Sequence, residues 1–136
     1  MALIPCEVAV KSVIPAIRAL IAKELTESYG LKQKDVATLL GITQTAVSKY
    51  ACHVRGRVLR IEHVKEIQTT IKEIAVSLSN GHLSRSDLVA KFCTSCEIIR
   101  RKRLMCDLCK RSDPLLNIQE CFVCQSQSPL CRKNTK

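Results

Sequence analysis

A chain of 136 residues with 22 Lys+Arg against 12 Asp+Glu carries a formal charge of +10, which allows one compact domain plus a small appendage and excludes an acidic solvating tail. A hydrophobic share of 46% beside 25% charged residues excludes global disorder. With two Tyr, two Phe and no Trp, the chain also lacks the aromatic platforms on which single-strand binders stack bases.

The basic balance makes a polyanion the first partner to expect. At the N-terminus, Met1–Pro5 is apolar, but Cys6–Glu7 interrupts it and no basic stretch precedes it, so it does not read as a signal peptide. Arg18, Lys23 and Lys72 cut the longest apolar runs well short of a membrane span. The expected setting is the cytoplasm, with no membrane partner; there CxxC pairs point to metal or redox chemistry rather than structural disulfides.

Ile14, Ile17, Leu20, Ile21 and Leu25 predict a helix from about Pro15 to Ser28, with Pro15 in the first turn and Gly30 as the stop. A second, short helix is predicted from Lys32 to Leu40, with Val36, Ala37, Leu39 and Leu40 inward. Gly41 breaks it, and Thr43 caps a third helix that runs to about Ala51, with Ala46 and Val47 packed.

The run from Leu31 to Tyr50 meets the needs of a helix-turn-helix. Ala37 is small where two helices must touch, Gly41 tolerates positive φ in the turn, and Ile42 and Val47 anchor the second helix. Gln44, Thr45, Ser48 and Lys49 are polar side chains between those anchors. Lys49, His53, Arg55, Arg57 and Arg60 follow with no acidic residue between 43 and 61, which suits phosphate contact. An αα-hairpin with a solvated basic face is the competing account.

On those residues the sequence resembles the Cro/repressor-like (XRE-type) helix-turn-helix regulators, and Pro5-Cys6-Glu7 through Ala51 resembles archaeal members most closely. Some of these join a similar DNA-binding half to a thiamine-phosphate-synthase-like sensor; here a cysteine-rich tail stands in its place. The resemblance implies double-stranded DNA as partner, with the third helix in the major groove. It assigns Gln44 to adenine, Thr45 to a thymine methyl, and Gln33 to phosphate while buttressing Gln44. Thr43, Ser48, Lys49, Arg55 and Arg57 complete the expected DNA-binding set.

A long helix is predicted from about Ile61 to Ser79, ended by Asn80-Gly81. Its Val64, Ile67, Ile71, Ile74 and Leu78 step by threes and fours, as in a coiled-coil seam, so a homodimer is expected; the other account is that this stripe covers the protein's own core. Ser84-Arg85-Ser86-Asp87 reads as a capping box opening a last short helix to about Phe92.

Seven of the nine cysteines then fall within 93–131. A tail of this size needs a staple in place of an apolar core. Cys93, Cys96, Cys106 and Cys109 form the expected metal set, with Glu97–Met105 as a tight hairpin between the two CxxC turns. Cys121, Cys124, Cys131 and Cys6 are additional candidates, as a second site, as alternative ligands or as a thiol–disulfide switch. Zinc and an iron–sulfur cluster both take four cysteines; zinc ribbons favour glycine where Glu97 and Lys110 stand, and the spacing does not choose between them. Disulfides without metal are the remaining account. The basic run Arg100–Arg103 either offsets thiolate charge, reaches DNA phosphate or is a solvated loop. Cys52, alone after the third helix, is expected to be a small buried residue.

The expected fold is thus mainly α: a helix-turn-helix DNA-binding domain over 1–60, a linker and dimerisation helix over 61–92, and a small metal-stapled cysteine-rich domain over 93–136. The expected function is sequence-specific transcription regulation, responsive to metal or redox state. The alternative is a metal-binding adaptor that contacts transcription proteins. No enzyme is expected, and no small-molecule substrate, since no HExxH, phosphate-cradling glycine loop or GxSxG elbow occurs.

Overall fold

The computed structural model describes residues 5–52 and 59–124, which form α-helices joined by turns, with no strand among the described residues. In chain order they are α1 (Pro5–Lys11), α2 (Val13–Glu27), α3 (Gln33–Leu40), α4 (Gln44–Ala51), α5 (Lys65–Ser79), α6 (Arg85–Arg101) and α7 (Cys106–Ser112). The mainly α expectation holds.

α2 is the hub: α1, α3, α4, α5 and α6 all pack on it. Its Val13, Ile17, Ile21 and Leu25, at intervals of four, are all 0% exposed, as expected of one helical face turned to a core. The helix begins two residues before Pro15. α1 ahead of it was not expected; Ser12, at the join, is buried because its hydroxyl donates to the Val8 carbonyl at 2.7 Å. That local bond satisfies the hydroxyl without water.

The α5 stripe has a different role from the one expected. Ile67 and Ile74 are 0% exposed, and Val64, Ile71 and Leu78 are also buried, because α5 lies against α2 and α6. Its apolar face is spent inside the protein and does not serve as a dimer seam. Asn80 and Gly81 stop the helix as expected, with Gly81 at φ 70°.

α6 is longer than the sequence suggested. Ser84 accepts from the Asp87 amide at 3.1 Å, capping the helix as expected, but the helix continues through Phe92 and Cys96 to Arg101. The expected hairpin over Glu97–Met105 is therefore replaced by a helical turn and a short corner. No glycine or proline interrupts this stretch, Ile99 is fully buried, and Arg101 pairs with Glu97 one turn back. Ser95, 0% exposed, donates its hydroxyl to the Lys91 carbonyl. The expected boundary between 92 and 93 falls inside one continuous helix.

None of the helices is long and apolar enough to cross a membrane, among the described residues.

Candidate functional site

Two places carry the residues singled out by sequence. The first is the α3–α4 pair. Gly41 adopts φ 69°, the left-handed region that glycine enters without a Cβ penalty. Its amide donates to the Thr38 carbonyl and that of Ile42 to Ala37, so the end of α3 is closed before the chain turns. Thr43 then accepts from the Ala46 amide at 3.0 Å and starts α4 as expected.

Ala46, Val47 and Tyr50 of α4 are buried, while Thr43, Gln44 and Thr45 are exposed and Ser48 and Lys49 half-buried. Gln33, in the first turn of α3, is half-buried as well. α4 thus presents polar side chains from its N-terminal turn and packs on α2 and α3 with the rest. Arg60 lies 3.9 Å from Glu62 in an exposed pair. His53, Arg55 and Arg57 fall outside the described residues. Cys52 is a correction: it is exposed at the C-cap of α4, because Val47 and Tyr50 take the inward positions of the last turn.

A residue that sequence reasoning missed joins this region to the rest. Arg85, in the first turn of α6, donates to the Thr38 carbonyl at 2.9 Å and to the Leu39 carbonyl at 3.1 Å. It supplies positive charge to carbonyls at the C-terminal end of α3, where the helix dipole favours it. Its guanidinium lies where a Cβ on residue 41 would sit, 2.5 Å away. The sequence marked Arg85 only as part of a capping motif; nothing local announced a partner 46 positions back.

The second place is the cysteine region, and the structure sorts its thiols differently from the expected set. Cys93 and Cys96 lie on α6 and line a groove of about 310 Å³ together with Cys6, Val10, Arg18, Val89 and Phe92. Cys106 and Cys109, expected to join them, line instead a separate cavity of about 80 Å³ with Cys121 and Cys124. The reason is the unbroken helix: α6 carries Cys93 and Cys96 away from the corner at 102–105, and the chain after Pro114 returns to α7. Cys131 lies outside the described residues.

The four thiols of the smaller cavity form no disulfides. Burial pushes the Cys106 thiol up, with Cys124, Cys121 and Asp107 adding to the shift and Arg103 opposing it. Burial also raises the Cys109 thiol, with its neighbours Cys124, Cys106 and Cys121 adding and Arg100 opposing. Among the described residues, no three His, Cys, Asp or Glu side chains are gathered closely enough to hold a metal ion as they stand.

The basic run beside this cavity is neither a solvated loop nor a free basic patch. Arg100 is buried at 6% exposure, and its Nε lies 3.4 Å from Cys124 Sγ. Arg101 pairs with Glu97, and Lys102 reaches Glu66 on α5 at 2.7 Å. Arg103, at φ 59°, donates to the Cys121 carbonyl at 3.0 Å and also to that of Ile118. Lys110 similarly donates to the carbonyls of Pro114 and Leu116, each at 2.7 Å. These clamps hold a stretch with no regular structure against α6 and α7, a role that composition alone did not disclose.

No family model, no curated protein and no solved structure matches this chain.

Proposed function

We propose that this protein is a cytoplasmic regulator of transcription that reads double-stranded DNA with α4, and that its cysteine region binds metal. The observation that carries the reading is the division of α4. One face is sealed into the core, the first turn exposes Gln44 and Thr45, and a left-handed glycine sets the helix against α3. A helix so mounted is a helix-turn-helix reader, able to lie in the major groove with that first turn against base edges.

Gln44 suits a bidentate contact to adenine and Thr45 a thymine methyl, while Gln33 and Lys49 suit phosphate. Binding as a homodimer belongs to the same reading, since such readers pair on two-fold sites. With the α5 stripe buried, the exposed Val10 and Val89 beside the α1–α6 groove offer the apolar face for it.

The test is selection of binding sites from random duplexes, followed by anisotropy on the selected site with wild type and Gln44→Ala/Thr45→Ala. The expected result is loss of preference for the selected site, at about 1–3 kcal/mol per lost base contact, with unchanged melting and unchanged non-specific binding. Equal discrimination by the two proteins, or no duplex binding at low salt, would sink the reading.

A further inference from the structure

The segment from Asp113 to Cys124 contributes no fully buried apolar side chain to the core, so apolar packing holds it only in part. It has neither helix nor strand; Leu115 and Phe122 face solvent at 93% and 65% exposure, while Leu116 and Ile118 are half-buried at the small cavity. From its end Cys121, Val123 and Cys124 line that cavity, whose other wall carries Cys106 and Cys109. Each pair has the CxxC spacing that aims two sulfurs at one point, and two such pairs make a tetrahedral donor set.

Charge gives a second, independent argument. Arg100 and Arg103 line the same cavity, and Arg100 is almost wholly buried. Arg100 Nε already lies 3.4 Å from Cys124 Sγ, so a thiolate formed there meets positive charge at once. Four thiolates around a divalent ion carry two surplus negative charges, which two guanidiniums balance.

We propose that Cys106, Cys109, Cys121 and Cys124 are the ligands of one divalent, thiolate-preferring metal ion of the zinc class, with Arg100 and Arg103 as its counter-charges. Cys93 and Cys96 stand outside this site. The proposal rests on the reading of the cysteine region as metal-binding and is independent of whether α4 reads DNA. On binding, each thiol gives its proton to solvent and its sulfur electron pair to the ion, with no oxidation or reduction. Because the thiols are not yet gathered to one point, uptake draws Cys121 and Cys124 toward α7. The ion is the staple that closes 113–124 onto the α6–α7 corner.

The experiment uses the full chain, purified with chelator and reductant, and titrates it with Co2+ and then Zn2+. One Co2+ per chain is expected, with the visible bands of tetrahedral cobalt and near-ultraviolet sulfur-to-cobalt charge transfer, both abolished by stoichiometric Zn2+. Cys106→Ser, Cys109→Ser, Cys121→Ser and Cys124→Ser should each weaken uptake by at least about ten-fold, whereas Cys93→Ser and Cys96→Ser leave it unchanged. Circular dichroism of each metal-free variant separates lost ligands from lost folding. Zn2+-dependent protection of 113–124 from proteolysis in the wild type supplies a readout that needs no variant. Dependence on Cys93 and Cys96 in place of Cys121 and Cys124, absence of tetrahedral bands, or iron with acid-labile sulfide in the protein as isolated would each overturn the proposal. All of these are read without DNA, so failure here leaves the α4 reading to its own test.

Discussion

Between α2 and α5 the protein is closed by aliphatic side chains, with Ile17, Ile21, Leu25, Ile67 and Ile74 all at 0% exposure. From Lys102 to Cys124 the material changes. Among the described residues of that stretch, Met105 alone belongs to the buried apolar core; cationic side chains on backbone carbonyls hold the chain beside a small cavity that four thiols and several half-buried apolar side chains line. The first kind of closure draws on apolar area removed from water and needs neither a titrating group nor an ion. The second rests on directed hydrogen bonds from cations to carbonyls and, on the proposal made above, would answer to metal supply as well.

The contrast can be broken first at the core. Ile74→Ala should destabilise the protein by about 2–5 kcal/mol in denaturant unfolding, through lost transfer energy and the cavity left behind. A loss under about 1 kcal/mol would mean that α5 does not seal the frame.

A smaller and local effect is expected from Arg103→Met, which keeps the stem and removes the donors to Cys121 and Ile118. Hydrogen exchange should quicken at Leu116 and Glu120, whose amides bond within the clamped segment, by the equivalent of about 1–3 kcal/mol. Amides of α2 should not change, and equal loosening of both regions would erase the distinction drawn between them.

The smallest effect is chemical. In metal-free protein near neutral pH, alkylation should be slower at Cys106 and Cys109 than at the exposed Cys52 and Cys93. The raised pKa of the first two keeps them protonated to higher pH, and only the thiolate reacts. The gap should narrow as pH rises. Mass spectrometry after timed labelling measures it, and a gap that widens with pH would contradict the sign.

What could be read in advance follows how local the physics is. The ends of α3 and the start of α4 were legible because a glycine, a cap threonine and an apolar spacing act within a few residues. The α5 stripe was visible as a stripe, but periodicity does not tell an internal partner from a second copy. α6 was cut short in the sequence reading because Thr94, Ser95 and Cys96 look like the start of a metal knuckle, whereas Ser95 satisfies its hydroxyl inside the helix. All three CxxC spacings are alike, so the grouping of thiols depended on the direction in which that helix carries Cys93 and Cys96. The partners of Arg85, Arg100 and Arg103 lie 15 to 47 residues away and left no local mark.

The length of α6 has a mechanical consequence. Its 17 residues span about 25 Å, with the thiol cavity near one end and the Arg85 bridge to Thr38 and Leu39 at the other. A rod of that length that pivots by about one degree moves its far tip by about 0.4 Å. That displacement is comparable to the whole spread of good hydrogen-bond lengths, about 0.5 Å. Angular changes too slight to alter any helix are therefore large enough, at the tip, to make or break the grip on the turn beneath α4.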